Sequence, residues 1–186
     1  MALKKVILYP FAINSPYFEG YAWAVELAFR MKAKLQLFTT TAIAPGITAP
    51  FDSIYHSLLQ AHGYYLEHYN HSESKPSEVS REPSITNGEL KDDLILHLKT
   101  NPVDIVIIDP PFLSTQFRGL SEIGKQAKGM ILLPENLDVS QSLTYNDHFY
   151  DVLRHSELHK LPENFFVTLG NDKSVFNYLR KLFQKK

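Results

Sequence analysis

Short apolar runs that alternate with amphipathic segments constrain the fold of this chain most strongly. The runs KKVILYP at residues 4–10 and VDIVIID at residues 103–109 carry apolar side chains at nearly every inner position. Such runs are typical of strands buried on both faces, as in a parallel sheet. Between the first run and a second one at residues 34–41, apolar residues recur at helical spacing. This β-α-β order predicts a crossover unit with two parallel strands.

The same alternation continues to residue 134. We predict further helices at residues 51–70, 87–102 and 114–128 and a last strand at residues 129–134. The polar segment at residues 71–84 is either an exposed loop or a loop that leads into an edge-type strand near residues 79–85. The segment AIAPGITAP is predicted as a loop, and Asn14 or Ser15 as the N-cap of the first helix. The sequence therefore predicts a three-layer α/β/α domain at residues 1–134. Residues 135–186 are predicted as a C-terminal α/β extension packed on the domain or on a partner chain.

Composition excludes several classes of function. The net charge of −1 comes from 19 basic and 20 acidic residues, which gives no electrostatic footprint for nucleic acid. The absence of cysteine excludes disulfides and thiolate catalysis. We find neither an apolar run of the ~20 residues that cross a bilayer nor a signal peptide at the start. We therefore expect a cytoplasmic protein with no nucleic-acid or membrane partner.

Two stretches carry a family resemblance. Residues 4–40 hold a strand, a turn of small and polar residues, a helix built around AWAVELA and a return strand. Residues 85–109 hold a glycine, a helix of apolar repeats and a hydrophobic strand. Both resemble the universal stress protein family, and the resemblance extends across residues 4–134. It implies an open parallel five-stranded sheet in the order 3-2-1-4-5, often a homodimer paired through the last strand and, in many members, ATP at the carboxyl ends of the strands.

The chain departs from this family at both halves of the ATP site. Members that bind ATP have an Asp after the first strand, and by register Ala12 occupies that position. They also have a glycine-rich phosphate loop after the fourth strand, where this chain has Pro110 and Pro111, which lack N–H donors. Gly119 matches the third glycine of that loop, but Leu120 follows it in place of Ser or Thr. ATP remains possible, but its motif is missing, so we expect no cofactor.

The carboxyl edge of the sheet remains the predicted place for a small-molecule ligand. The candidate pocket residues are Ala12, Asn14, Ser15, Thr40, Asp109, Ser114, Thr115 and Gly119. An open space above Ala12, Asn14 and Asp109 would favour ligand binding. Filling of that space by Phe112, or by Phe165 and Phe166 of the extension, would favour a purely structural dimer.

A second resemblance concerns the strand that ends in Asp-Pro-Pro-Phe at residues 109–112. It is similar to the catalytic turn of S-adenosylmethionine-dependent amino-methyltransferases, which act on flipped adenine or guanine bases. Those enzymes also need a glycine-rich turn after the first strand, but the eight glycines here never form Gly-x-Gly. The alternative interpretation is that Asp109 ends a buried strand and caps the next turn.

Histidine pairs provide no convincing metal site. His155 and His159 are four residues apart, and His68 and His71 are three apart, but neither pair has an assignable third ligand. We predict surface histidines and no metal. The sequence thus predicts a non-enzymatic, homodimeric binding or regulatory module of the stress-response type with a degenerate nucleotide site. The alternatives are a nucleotide-binding stress protein with a rebuilt site, and an enzyme that uses the edge pocket for nucleotide hydrolysis or methyl transfer.

Overall fold

A computed structural model describes residues 5–68, 79–116, 120–133 and 137. The elements in chain order are β1 (Val6–Pro10), α1 (Phe18–Arg30), β2 (Lys34–Thr40), β3 (Ala42–Ala44), β4 (Ile47–Thr48), α2 (Phe51–His68), β5 (Arg81–Thr86), α3 (Leu90–Thr100), β6 (Ile105–Ile108), α4 (Pro110–Gln116), α5 (Leu120–Gln126) and β7 (Gly129–Leu132). None of these helices is long and apolar enough to span a membrane.

Five strands form one parallel sheet in the order β5-β2-β1-β6-β7. Counted along the chain without the separate pair β3 and β4, this order is 3-2-1-4-5. Strand β5 lies at one end of the sheet and contains Pro83, a residue that sheets accept at their edges. The predicted α/β class is confirmed.

Helices cover both faces of the sheet, and the apolar side chains of the inner strand β6 alternate between these two faces. In β6, Ile105 and Ile107 pack in the same core cluster as residues of α1 and α2. Val106 and Ile108 pack in a second cluster with residues of α3, α4 and α5. Complete burial of each such side chain contributes roughly 1.5–3 kcal/mol. We call the side of α1 and α2 the first face and the side of α3, α4 and α5 the second face.

The predicted loop at residues 42–50 was wrong, because β3 and β4 pair there as an antiparallel hairpin. Pro45 and Gly46 form its turn, and Gly46 has a φ of +73°. Proline followed by a glycine with positive φ is typical of a type II turn. The hairpin rises beside the carboxyl end of β2, where the Ala49 N–H donates to the Thr41 carbonyl at 2.7 Å.

Two predicted helix boundaries were also wrong. Helix α1 begins after Tyr17, which has extended backbone angles and makes no side-chain cap bond, so neither Asn14 nor Ser15 is the N-cap. The Ser15 N–H instead bonds to the Ala12 carbonyl at 3.3 Å, because residues 12–15 form a turn of their own. The helix predicted at residues 114–128 overlaps two described helices, α4 and α5, and α4 already starts at the proline pair.

Candidate functional site

A cavity of about 590 Å³ lies at the carboxyl ends of the parallel strands. Its volume is within the range typical of small-ligand pockets, and its position is where open α/β sheets bind their ligands. The turn after β1, the end of β2, the β3–β4 hairpin and the turn between β5 and α3 form its walls. The lining residues are Phe11, Ala12, Ile13, Asn14, Ser15, Thr39, Thr40, Ala42, Ile43, Ala44, Pro45, Gly46, Asn87, Gly88, Glu89, Leu90 and Pro111.

Two threonine hydroxyls at the end of β2 hold the cavity walls together. Thr39 Oγ1 donates to the Phe11 carbonyl at 2.7 Å. Thr40 Oγ1 donates to the Gly88 carbonyl at 2.6 Å and accepts from the Ala42 N–H at 3.1 Å. Both threonine residues are buried; the Thr39 bond is buried as well, and the two Thr40 bonds are partly buried. The hydroxyls connect β2 to three of the other walls.

The rim of the cavity is polar and exposed. Asn14, Ser15, Asn87 and Glu89 are all solvent-exposed lining residues. Asn14 Nδ2 donates a long bond of 3.4 Å to the Ile43 carbonyl of the hairpin. Apolar walls with a few polar groups at the mouth are typical of sites that bind small organic molecules.

The charge around the cavity does not favour phosphate. None of its lining residues in the described part of the chain is Lys, Arg or His, and Glu89 is acidic. The first turn of α3 carries Asp92 and Asp93, and Asp93 Oδ2 accepts the Gly88 N–H at 3.0 Å. These carboxylates already match the positive end of the α3 dipole. Against the described lining residues, a polyphosphate would therefore meet negative charge without a compensating cation.

Four predicted site residues, Ala12, Asn14, Ser15 and Thr40, come together as lining of this cavity. Asp109 lies at the same edge of the sheet but is not a lining residue and is only 2% exposed. The side chains of Ser114 and Thr115, and the whole of Gly119, lie outside the described part.

Sequence reasoning missed the hairpin wall and the residues 87–90. The Pro-Gly pair at residues 45–46 signals the hairpin turn, and the Asn-Gly pair at residues 87–88 signals a turn after the third sheet strand. Their place in the site follows from the pairing of β5 with β2, which brings the two carboxyl ends side by side.

Asp109 is the N-cap of α4, as the alternative interpretation of Asp-Pro-Pro-Phe predicted. Its Oδ1 accepts the Phe112 N–H at 2.8 Å, and Pro110 and Pro111 occupy the first two helical positions, where few N–H donors find partners. Its Oδ2 accepts the Tyr9 hydroxyl at 2.6 Å. Burial raises the pKa of Asp109, although these two hydrogen bonds act in the opposite direction. Burial and the Asp109 charge together raise the pKa of Tyr9 well above its ordinary value.

Phe112 does not fill the space above Ala12. It is 1% exposed and belongs to the core cluster of the second face. Phe165 and Phe166 lie outside the described residues. The space above Ala12 and Asn14 is therefore an open cavity with a polar rim as far as the described residues define it.

Within the described ranges, no group of three or more metal-ligating side chains could hold a metal ion. His68 is exposed at the end of α2, and its Nδ1 lies 2.9 Å from the Tyr64 carbonyl. The predicted pair partners His71, His155 and His159 lie outside those ranges.

Comparisons with known proteins find no match in sequence and a distant similarity in structure. No model of a protein family matches the chain, and no curated protein sequence matches it. Among solved structures, the chain is similar to a universal stress protein in complex with cAMP, at 15% identity and a TM-score of 0.46. The similarity covers 71% of this chain and 98% of that one. The assignment of the α/β class rests on the sheet and its two helical layers.

Proposed function

We propose that this protein is a non-enzymatic binding or regulatory module of the universal stress type. It holds a small ligand without phosphate groups in the cavity at the carboxyl ends of β1, β2 and β5. The observation that carries this proposal is the cavity itself, with its exposed polar rim and with no basic residue among the described residues that line it. A neutral or positively charged ligand is compatible with Glu89 at the rim.

The same observation supports a degenerate nucleotide site. Ala12 lines the cavity where ATP-binding members of the family carry an Asp, so no carboxylate is available there to face the adenine. Pro111, which cannot donate an N–H, lines the cavity near the position of the family's phosphate loop. Both changes remove contacts that ATP would need.

A methyltransferase role is disfavoured by the contacts of Asp109. In an amino-methyltransferase, the turn after this strand binds the amino group of a flipped base. Here both oxygens of the Asp109 carboxylate accept hydrogen bonds from Tyr9 and Phe112, and the side chain is buried. A base amino group would have to displace one of these buried bonds.

We further expect a cytoplasmic homodimer. Strand β7 lies at one end of the sheet, so its outer edge is available for pairing with a second copy as far as the described residues go. Sedimentation equilibrium tests the expected dimer, and a monomer at all concentrations would contradict it.

A thermal-shift titration tests the proposed ligand class. The panel contains matched compounds with and without phosphate, namely adenosine, AMP and ATP, together with S-adenosylmethionine and a set of uncharged metabolites. A ligand at about a hundred times its dissociation constant stabilises the folded state by about 2.7 kcal/mol. We expect stabilisation by a member without phosphate and a weaker effect of its phosphorylated analogue.

A matched pair of variants assigns any shift to the cavity. Ala12→Phe fills the cavity and should abolish the shift. Ala49→Phe adds the same side chain at a partly exposed alanine that is not a lining residue, and should preserve it. A shift by ATP that exceeds the shift by adenosine would contradict the proposal, as would a shift that survives in Ala12→Phe.

A further inference from the structure

The outer side of α2 carries a row of exposed apolar side chains, which we call the α2 stripe. It consists of Phe51, Tyr55, Leu59 and Leu66, which are 60%, 54%, 69% and 48% exposed. At 3.6 residues per turn these positions fall on one side of the helix. The buried face of α2 is a separate row next to it, formed by Ile54, Ser57, Ala61 and Tyr65. Contiguous exposed apolar side chains of this size mark an interaction surface.

The charges of α2 define what can cover the stripe. Its 18 residues include the acids Asp52 and Glu67, both exposed, and no Lys or Arg. A partner with apolar residues at helical spacing and flanking positive charge is therefore complementary. A second α2 stripe is not, since it would bring further carboxylates against Asp52 and Glu67.

Residues 171–186 of this chain, NDKSVFNYLRKLFQKK, have the required pattern. They contain five basic residues and one acid. Val175, Tyr178, Leu179, Leu182 and Phe183 recur at the spacing of one helix face. As a helix this segment would be about 24 Å long, close to the ~27 Å of α2.

The last described residue lies on the same face of the sheet as α2. Leu137 is the last described residue, is 7% exposed and belongs to the core cluster of the first face, together with Ala61 and Tyr65 of α2. The connection at residues 138–170 can span on the order of 100 Å when extended, so its length does not limit access to α2.

We propose that residues 171–186 form an amphipathic helix that docks on the α2 stripe of the same chain. The apolar face of that helix covers Tyr55 and Leu59. Its basic residues lie near Asp52 and Glu67 at the borders of the stripe. In this arrangement the end of the C-terminal extension packs on α2 and shields its exposed apolar side chains from solvent.

Thiol labelling of the full-length chain tests this proposal, because the chain has no cysteine of its own. Leu59→Cys places a single thiol in the stripe. Its labelling by a small alkylating reagent is compared between the otherwise natural chain and a chain that also carries Leu179→Ser and Leu182→Ser. We expect labelling about tenfold slower in the natural background, which corresponds to a docking free energy of about 1.4 kcal/mol.

Gln60→Cys is the matched control. Gln60 is exposed and lies on a different side of α2. Its labelling rate should be the same in both backgrounds. Circular dichroism and thermal unfolding of each variant confirm that the domain is folded. A chain that ends at residue 170 provides a second comparison without any serine substitution, and it should label as fast as the serine double variant.

Two results would overturn the proposal. Equal labelling of the Leu59→Cys thiol with and without the tail substitutions would show that residues 171–186 do not cover the stripe. Protection that increases with protein concentration would assign the stripe to a second copy of the chain. Protection that is independent of concentration and is weakened by salt supports docking within one chain, because salt screens the exposed charges at the border.

Discussion

The Tyr9 hydroxyl donates a 2.6 Å hydrogen bond to Asp109 Oδ2, between residues that are 100 positions apart in the sequence. Tyr9 belongs to β1, and Asp109 follows β6, the neighbouring central strand. The other carboxylate oxygen accepts the Phe112 N–H at 2.8 Å. One buried carboxyl group therefore connects the centre of the sheet to the start of α4.

Tyr9→Phe should lower the free energy of unfolding by about 1–3 kcal/mol, because it leaves a buried carboxylate oxygen without its donor. Urea unfolding followed by circular dichroism measures the change. Tyr55→Phe is the control: it removes the same hydroxyl from a side chain that is 54% exposed and keeps the ring that the proposed tail helix would contact, so it should change stability by less than about 0.5 kcal/mol. Equal stability of Tyr9→Phe and the natural protein would refute the role of this hydrogen bond.

Asp109→Asn should change the pH dependence of stability. Burial raises the pKa of Asp109 in the folded protein above its ordinary value of 3.8. The folded state therefore binds this proton more tightly than the unfolded state. The stabilisation from protonated Asp109 is complete below pH 3.8 and is lost as pH rises through the folded-state pKa.

Asparagine preserves the shape and cannot ionise. The stability of the natural protein relative to Asp109→Asn should therefore decrease as pH rises from about 3.5 toward neutral. Urea midpoints of both proteins, measured at intervals across this range, test the sign. A difference that is constant with pH, or that grows in favour of the natural protein, would contradict the raised pKa.

Two helical glycines should respond to alanine in opposite directions. At Gly20 a Cβ would lie 2.6 Å from Tyr17 Cδ1 and 2.7 Å from the Tyr9 hydroxyl, which Asp109 holds in place. At Gly63 a Cβ would have no neighbour within 4 Å.

We expect Gly20→Ala to destabilise the protein by about 1–3 kcal/mol through overpacking. Gly63→Ala should stabilise it by about 0.5–1 kcal/mol, because alanine reduces the conformational entropy lost in a helix. Thermal unfolding of the two variants should thus shift in opposite directions. A rise in melting temperature for both would show that the space around Gly20 adapts to a methyl group.

The architecture was predictable because strands that are buried on both faces appear in the sequence as continuous apolar runs. Strand β6 reads IVII, and all four of its residues are buried. The hairpin β3–β4 has no recognisable pattern in the sequence, because its strands have three and two residues, too few to show alternation. The start of α4 was predicted too late in the chain. Prolines can end a strand or occupy the first turn of a helix, and here Pro110 and Pro111 begin α4.

The positions of candidate site residues were predictable where they depend only on where a single strand ends. Ala12, Asn14, Ser15 and Thr40 follow β1 or end β2, so their position at the carboxyl edge follows from the strand assignment alone. The wall at residues 87–90 depends on long-range pairing of β5 with β2. The direction of the Asp109 side chain depends on a partner 100 residues away, which no local pattern specifies.

Thr40→Val should loosen the walls of the cavity. Valine has nearly the shape of threonine but leaves the Gly88 carbonyl and the Ala42 N–H without the partner that the hydroxyl provides. Because Thr40 is 7% exposed, water replaces these bonds poorly, and we expect a loss of about 1–3 kcal/mol in unfolding free energy. Any ligand-induced thermal shift should also decrease, since two walls of the cavity lose their connection to β2.

Thr86→Val is the matched control for that change. The Thr86 hydroxyl makes a longer bond of 3.3 Å to the Thr39 carbonyl, and Thr86 is not a lining residue of the cavity. Thr86→Val should lower the free energy of unfolding by less than Thr40→Val does, and ligand binding should be preserved. Urea unfolding and the ligand titration, applied to both variants, separate general destabilisation from an effect on the site. If Thr86→Val weakened ligand binding as much as Thr40→Val, the cavity walls would depend on the stability of β5 and β2 as a whole and not on the Thr40 hydroxyl.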